Sequence, residues 1–357
     1  ASVSALMDQV TQSEMLASIT TLQDLGTRYY NTTAGLSAPA TVKALFEAAI
    51  GTATGFTVAE FEHDTFDNSA GNAIQVDQDS LIVTLEGTDP SLPRVIFGAH
   101  LDSTVSGSLK QNVAPGADDD ATGIATLVEM VRILAASGAR FQRTIEFQAY
   151  AAEEVGLLGS KDIAETYKEQ GVKIAGMFQI DMNGYSAEDG DTTIYLISTF
   201  TDSVLRQSLK DLLNNYLGGD FVEQALSAGR SDHVSFTDQG YAAVFPFEDP
   251  DNFNDQWHST GDTTDNLNAL GLTVRFAKLG LGFASHYGGL TATSSTADVA
   301  AEYTAAQATG NESLGNDLKL AVIDTATDGQ VNIGVGAPEG IVRVELCVTA
   351  SATTTQC

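Results

Sequence analysis

The stretch RVIFGAH, residues 94–100, is a continuous apolar run that ends in a histidine. A run without polar alternation is typical of a strand buried on both faces of a parallel sheet. TIEFQAYAAEE (144–154) predicts another buried strand, and MFQIDMNG (177–184) is again an apolar run that ends in polar residues. Residues 120–136 place apolar side chains at helical spacing between the first two runs. This alternation predicts an α/β fold, with a mostly parallel central sheet flanked by helices on both faces.

The composition of the chain changes at about residue 290. Residues 291–310, TATSSTADVAAEYTAAQATG, are rich in Thr, Ala and Ser, which is typical of a linker. Three apolar runs follow (LKLAVIDT, VNIGVGA and IVRVELCV) and predict two or three short strands. We therefore predict one main domain over residues 1–290, and a linker-like segment with a small β-rich extension over residues 291–357.

The charge of the chain excludes two classes of partner. It carries 47 acidic and 17 basic residues, a net charge of −30, so the phosphates of nucleic acids and anionic membrane surfaces would be repelled. No apolar run reaches the roughly 18 to 20 residues that a membrane span requires. We expect neither a nucleic-acid partner nor a membrane partner.

Cys347 and Cys357 are the two cysteines of the sequence, and both lie near its C-terminus. A close pair in a chain otherwise free of thiols predicts one disulfide that closes a short loop. Two cysteines alone do not make a structural zinc site, which needs four ligands. A disulfide indicates an oxidising compartment, so we expect a secreted, extracellular protein.

Ionisable side chains follow each of the three apolar runs that open this section. His100 ends the first run, Glu153 and Glu154 end the second, and Asp181 follows the third. The carboxyl ends of parallel strands meet at one edge of a sheet, where ligands bind in α/β folds. We therefore expect these side chains to lie close together.

Three consecutive aspartates, Asp118 to Asp120 in PGADDDATG, precede the predicted helix. Adjacent carboxylates repel one another, and a bound cation removes that repulsion. His258 in QWHST follows a further apolar run, AAVFPFED. Nitrogen and oxygen ligands suit zinc, with manganese or cobalt as substitutes. The predicted metal ligands are His100, one or two of Asp118 to Asp120, Glu154, Asp181 and His258.

The charge of this ligand set favours two ions. The negative charges of three carboxylates and a bridging hydroxide equal the positive charge of two divalent ions. A single ion would leave a negative net charge, and one histidine and one carboxylate would have no ion to bind. Glu153 is not needed as a ligand, and a carboxylate beside a metal-bound water is suited to act as general base. Asp102 in GAHLDS can orient the imidazole of His100 through its second nitrogen.

Six motifs together resemble a known family. GAHLDS, PGADDDATG, AYAAEEVGLLGS, QIDMNGY, RSDHVSF and FNDQWHSTGDT are similar, in the same order and over roughly residues 10 to 290, to the secreted di-zinc leucyl aminopeptidases of the Vibrio (Aeromonas) proteolytica type, which are zinc-dependent exopeptidases. The resemblance implies the zinc exopeptidase (phosphorylase/hydrolase-like) fold. It implies that Asp119 bridges two zinc ions, with Glu154 and His258 on one ion, His100 and Asp181 on the other, and Glu153 as general base.

The resemblance also implies an apolar pocket for the first side chain of the substrate, at Met182, Ile197, Phe245, Phe247, Phe253 and Trp257. Aromatic residues close to His258 fit a pocket for leucine-like side chains; ordinary core packing is the alternative interpretation. Ser231 is a candidate hydrogen-bond donor to a ligand carboxylate. The predicted protein is a monomeric aminopeptidase that removes apolar N-terminal residues from peptides or proteins with a free N-terminus, by attack of a hydroxide bridged between two zinc ions.

The sequence departs from the family pattern at three places. LSAGRSDH lacks the tyrosine and the disulfide that the family has before the S-D-H motif, the segment between Asp255 and His258 is shorter, and the tail after Leu290 has no counterpart. A deacylase, a carboxypeptidase or a glutaminyl cyclase on the same fold remains an alternative. A non-enzymatic calcium-binding protein is a more distant one, since calcium prefers all-oxygen shells and this set contains two histidines.

Overall fold

The computed structural model describes residues 2–67, 73–107, 111–226 and 230–291, together with the backbone of two strands further on, Lys319–Thr325 and Val331–Gly336. The chain divides into two compact units, Ala1–Ala292 and Thr293–Cys357. Cys347 and Cys357, and with them the predicted disulfide, lie outside the described residues. The assignment of the catalytic part to residues 1–290 stays a prediction.

The first unit alternates helices with strands. Its strands are β1 (Phe56–Phe61), β2 (Thr65–Asp67), β3 (Ala73–Gln75), β4 (Ser80–Leu85), β5 (Arg94–His100), β6 (Arg140–Phe141), β7 (Ile145–Tyr150), β8 (Ile174–Gln179), β9 (Ile194–Ile197), β10 (Phe221–Gln224), β11 (Ala243–Phe247) and β12 (Leu290–Thr291). Its α-helices are α1 (Val3–Met7), α2 (Gln12–Gln23), α3 (Thr33–Ile50), α4 (Gly123–Ser137), α5 (Leu158–Glu169), α6 (Ser203–Tyr216), α7 (His233–Asp238) and α8 (Leu270–Gly288).

An eight-stranded sheet in the order β1-β4-β7-β5-β8-β11-β9-β10 forms the centre of this unit. β5 pairs in parallel with both β7 and β8, and β8 pairs in parallel with β11. The antiparallel strands β1 and β4 form one end of the sheet. The predicted fold class, a mostly parallel central sheet flanked by helices, is confirmed.

β5 is covered on both faces, as its apolar sequence requires. Val95 and Phe97 point into the larger core, which includes side chains of α2, α3, α4 and α8. Ile96 points the other way, into a smaller core with side chains of α5 and α7. The Phe97 ring contacts the rings of Phe147, Phe178 and Phe283, with centroids 5.4 to 5.8 Å apart. This packing fixes the strand whose last residue is His100.

The helix predicted over residues 120–136 begins later, at Gly123, and a π-helical turn over Ala117–Thr122 precedes it. Asp119 and Asp120 have non-helical backbone angles within that turn. The backbone N–H groups of Asp118 and Asp119 donate to the carboxylate of Asp262, at 2.8 and 3.1 Å. The Asp120 side chain accepts the Gly123 N–H at 3.0 Å, and the regular helix begins at that residue.

In the second unit, β13 (Lys319–Thr325) and β14 (Val331–Gly336) pair antiparallel, with an irregularity between Val322 and Asp324. Both strands fall on apolar runs of the sequence, whereas the third run, IVRVELCV, lies outside the described residues. Across the described part of the whole chain, no helix combines the length and the apolar character needed to cross a bilayer.

Candidate metal centre and active site

Two histidines face opposite oxygens of one carboxylate at the carboxyl edge of the sheet. His100 Nε2 lies 2.9 Å from Asp119 Oδ1 and 3.6 Å from Asp181 Oδ1. His258 Nε2 lies 3.1 Å from Asp119 Oδ2 and 2.8 Å from Glu154 Oε2. Asp119 therefore stands between two sets of donors, and each set adds one histidine and one further carboxylate.

Each set has the composition and spacing of a metal site. The ligand atoms of each set lie within 4.8 Å of one another; the two sets are His100–Asp119–Asp181 and Asp119–Glu154–His258. Glu154 Oε1 is buried and has no hydrogen-bond partner among the described residues. Mixed imidazole and carboxylate donors fit zinc. The residues present thus fit two divalent ions that share Asp119.

The pKa values of these groups depend on burial and on the charges beside each group. Burial would raise the pKa of Asp119, but its hydrogen bonds to His100 and His258 outweigh burial and hold that pKa below its usual range. Burial, together with the negative charge of Asp119, raises the pKa of Glu154 to about 8. Burial lowers the pKa of His258, but Asp119 and Glu154 outweigh it and raise that pKa to about 10. Positive charge beside these buried carboxylates therefore stabilises their ionised forms.

The other two aspartates of the triplet bind the surrounding backbone. Asp120 accepts the His100 N–H through Oδ2 at 3.0 Å and the Gly123 N–H, at the start of α4, through Oδ1 at 3.0 Å. Asp118 accepts the Gly184 N–H at 2.9 Å and the Asn254 side-chain amide at 3.0 Å. Both carboxylates are fully buried. They support the loops that carry the candidate ligands.

Glu153 and Glu154 lie in a tight turn after β7, in a short 3₁₀ segment that ends at Val155. Asp102 accepts both of their backbone N–H groups, at 3.0 and 3.2 Å. Its Oδ1 also lies 3.4 Å from His100 Nδ1, although this nitrogen makes no hydrogen bond of ordinary geometry among the described residues. Burial raises the pKa of Glu153 well above its usual range, and the negative charge of Glu154 adds to this rise. Asp102 thus links the carboxylate turn to the first histidine.

A cavity of about 580 Å³ opens over this cluster. Five of the six predicted pocket residues line it: Met182, Phe245, Phe247, Phe253 and Trp257. The sixth, Ile197, is fully buried in the same apolar cluster but is not part of the cavity lining. The centres of the Trp257 and His258 rings lie 3.7 Å apart, so the apolar wall reaches the candidate metal ligands.

Asp181 accepts a hydrogen bond from Ser231, the donor that the sequence suggested, and two residues that the sequence did not single out, Gln179 and Asp232, lie behind it. Ser231 Oγ donates to Asp181 Oδ2 at 2.6 Å, and Gln179 donates to both Ser231 Oγ and Asp232 Oδ2 at 3.1 and 3.0 Å. Burial raises the pKa of Asp232 to about 7. Two further acidic residues have a signal in the sequence: Asp232 precedes a histidine in RSDHVSF, and Asp262 lies in the turn-like STGDT. No sequence pattern pointed to Gln179.

The stretch that departs from the family pattern before the S-D-H motif contributes to the cavity wall. Arg230 lines the cavity, and its guanidinium lies 5.2 Å from the centre of the Phe200 ring. Among the described residues it forms no ion pair. His233 stacks on Phe245 at 4.7 Å, whereas His63 lies elsewhere, bonded to Ser80 and Asp162 at 2.7 and 2.9 Å.

Comparisons with known proteins identify a family and an activity. The model of "Peptidase family M28" matches residues 80–279. Leucine aminopeptidase 1 of Sclerotinia sclerotiorum is 32% identical over 290 residues, which cover 78% of this chain and 71% of that protein. The LapA aminopeptidase of Legionella pneumophila superposes with a TM-score of 0.71 at 27% identity, over 80% of this chain and 73% of that one.

A glutaminyl cyclase of Bacteroides thetaiotaomicron superposes with a TM-score of 0.63 over 76% of this chain and 97% of that one, at 17% identity. At that identity the likeness shows a shared fold and nothing about the reaction. The family match and the sequence relatives, in contrast, confirm the predicted resemblance and the predicted peptide-bond hydrolase. The chain therefore belongs to peptidase family M28 and, like these relatives, is an aminopeptidase.

Proposed function

We propose that this aminopeptidase is a secreted, dinuclear zinc enzyme that removes leucine-like residues from the N-terminus of peptides. One observation carries the proposal: Asp119 lies between two sets of zinc-type donors at the floor of a cavity whose wall is apolar. The name of the Sclerotinia relative, leucine aminopeptidase 1, supports the same substrate class.

Zinc, when bound by His100, Asp119, Asp181, Glu154 and His258, would polarise the scissile carbonyl and lower the pKa of a water molecule. Glu153 lines the cavity beside these groups, and burial raises the pKa of its carboxylate, which favours proton uptake. Its carboxylate accepts a proton from the attacking water and then gives it to the leaving amine nitrogen. The peptide bond breaks as the carbonyl carbon gains the water oxygen.

The cavity also accounts for the choice of substrate end. The free α-amine of the substrate would be anchored near the metals at the cavity floor, whereas Phe245, Phe247 and Phe253 offer the first side chain an apolar wall. A blocked N-terminus has no free amine to be anchored there. We therefore expect cleavage to be limited to one residue from a free N-terminus.

The deciding experiment compares hydrolysis of leucyl-p-nitroanilide with that of its N-acetylated form, on one zinc-loaded preparation. We expect p-nitroaniline release from the free amine alone. Release from the acetylated substrate alone, or from neither substrate, would refute the proposal and favour the deacylase or carboxypeptidase alternatives. A glutaminyl peptide in parallel tests the cyclase alternative, since a cyclase releases ammonia without breaking the peptide bond.

The role of Glu153 has a separate test. Glu153→Ala should lose most of the turnover, since general acid–base catalysis contributes about 10² to 10⁴-fold. Zinc content by atomic absorption should stay close to that of the wild type. Joint loss of zinc and turnover would mean that Glu153 is a ligand.

Secretion and the monomeric state are parts of the proposal that rest on the sequence. The spacing of Cys347 and Cys357 supports an oxidising compartment. Mass spectrometry of the unreduced protein should find a peptide that links these two cysteines, and light scattering should give the mass of one chain. Free thiols at both positions, or the mass of a dimer, would contradict these parts.

A further inference from the structure

Side-chain oxygens bind four consecutive backbone N–H groups of the turn that carries Glu153 and Glu154. The N–H of Ala151 donates to Ser80 Oγ at 2.9 Å, and the N–H of Ala152 donates to Gln78 Oε1 at 3.3 Å. The next two N–H groups are those bound by the carboxylate of Asp102. Side chains from distant parts of the chain thus bind every N–H of the turn from residue 151 to residue 154.

The turn needs this support because its backbone is neither strand nor regular helix. Ala152 has left-handed backbone angles, φ 52° and ψ 37°, which a residue with a side chain rarely adopts. β7 ends at Tyr150, so the N–H groups beyond it have left the sheet, and Ala151 and Ala152 are fully buried. Buried N–H groups without acceptors would open such a turn towards water.

Gln78 is itself held on both sides. Its amide nitrogen donates to the backbone carbonyls of Arg28 and Gly35, at 3.0 and 2.8 Å, while its oxygen accepts the Ala152 N–H. The side chain is fully buried. It therefore connects the start of α3 to the carboxylate turn.

Ser80 is held by a histidine and an aspartate behind it. The Asp162 carboxylate only accepts, so in a neutral imidazole the proton of His63 lies on Nδ1, 2.9 Å from Asp162 Oδ2. His63 Nε2 then accepts the Ser80 hydroxyl at 2.7 Å, while Ser80 Oγ accepts the Ala151 N–H. The order serine, histidine, aspartate resembles a nucleophilic triad, but Ser80 is fully buried and lies outside the cavity lining. The three residues orient a hydroxyl; they do not expose a nucleophile.

We propose that Gln78 and Ser80, the latter oriented by His63 and Asp162, are positioning residues that hold Glu153 and Glu154 in the geometry for proton transfer and metal binding. The inference rests on the proposed function of those two glutamates. Neither Gln78 nor Ser80 lines the cavity, so they act through the backbone of Ala151 and Ala152. Misplacement of a reacting group by about 1 Å is enough to cost a hundredfold in rate.

The test uses Ser80→Ala, which removes the acceptor of the Ala151 N–H, and Ser80→Thr, which keeps a hydroxyl. Val83→Ala is the matched control, since Val83 lies on the same strand, is fully buried, and packs in the core away from the turn. kcat and KM for leucyl-p-nitroanilide, zinc affinity by chelator competition, and the thermal midpoint are measured for each. If Ser80→Ala does not fold, Gln78→Met replaces it, because this variant removes the acceptor of the Ala152 N–H.

We expect Ser80→Ala to lower kcat about tenfold, the equivalent of one lost hydrogen bond, with KM nearly unchanged. Zinc affinity should fall as well, and Ser80→Thr should restore part of both. Equal losses of kcat in Val83→Ala at the same thermal midpoint, or wild-type kcat and zinc affinity in Ser80→Ala, would overturn the inference. The zinc affinity does not depend on turnover, so it tests the inference even if the wild type fails on leucyl substrates, a failure that would refute the proposed function alone.

Discussion

Asp262→Asn should weaken metal binding although Asp262 is not a candidate ligand. Its buried carboxylate accepts the N–H of Asp118 at 2.8 Å and that of Asp119 at 3.1 Å. These two bonds fix the backbone at the carboxylate that both donor sets share. Asparagine offers one acceptor oxygen, so one of the two N–H groups would face an amide N–H instead.

The expected loss follows from this geometry. A hydrogen bond to a charged acceptor contributes about 1.5 to 3 kcal/mol, and a tenfold change in affinity corresponds to about 1.4 kcal/mol. Part of the loss will appear in protein stability and the rest in the position of Asp119. We therefore expect zinc affinity to fall about 10- to 100-fold, which is the usual effect of changing a residue that orients a metal ligand.

The assay is competition for zinc with a chromophoric chelator, followed from the apo to the loaded protein. Asp265→Asn is the matched control because it makes the same change in charge three residues away, on an exposed side chain. The control should keep wild-type affinity. If Asp262→Asn also keeps it, or if both variants lose affinity equally, then the two backbone bonds do not position Asp119 and the reasoning is wrong.

Three further predictions concern the metal, the pocket and acid stability. Removal of zinc by EDTA should lower the unfolding temperature, because metal held at a thousand times its Kd stabilises by about 4 kcal/mol; an unchanged calorimetric midpoint would contradict a metal in this site. Phe253→Ala should lower kcat/KM for leucyl-p-nitroanilide about tenfold relative to alanyl-p-nitroanilide, since apolar contacts of this kind discriminate by about 1 to 3 kcal/mol; an unchanged ratio would place the first side chain elsewhere. Burial lowers the pKa of His233 to about 3, so the folded state binds fewer protons than the unfolded chain below pH about 6.5, and stability falls as the pH drops through this window. The contribution at pH 5 is about 2 kcal/mol, and His233→Phe should flatten the difference between urea unfolding at pH 5 and at pH 7; an unchanged difference would show that another group titrates.

The central sheet could be predicted from the sequence because strands buried on both faces are rich in apolar residues. RVIFGAH is apolar from Val95 to Ala99, TIEFQAY carries Ile145, Phe147 and Ala149 between polar residues, and the structure places these two segments and MFQ side by side as β5, β7 and β8. The carboxyl ends of parallel strands share an edge, so the sequence alone was enough to expect His100, Glu154 and Asp181 near one another. The family resemblance added the choice of Asp119 among three adjacent aspartates.

The start of α4 could not be predicted in the same way. Helical spacing from residue 120 onwards says nothing about where backbone N–H groups find acceptors. Asp262, more than 140 positions away, binds those of Asp118 and Asp119, while the Asp120 side chain binds that of Gly123, where the regular helix begins. Ile197 is a similar case, since its apolar character fits a cavity wall and a buried core equally well.

The sequence by itself determined the α/β sheet, the ligand types and the edge at which they meet, because apolar runs and the residues at their ends are local properties of the chain. Only the tertiary structure decided that Asp119 has a histidine at each oxygen. It also decided that Asp262 binds the backbone of the aspartate turn, and that Gln78 and Ser80 bind the backbone of the turn that carries Glu153 and Glu154. The physical reason is that a hydrogen bond joins a side chain to a backbone group wherever the fold brings them together. Such bonds have no periodicity and no fixed spacing along the chain.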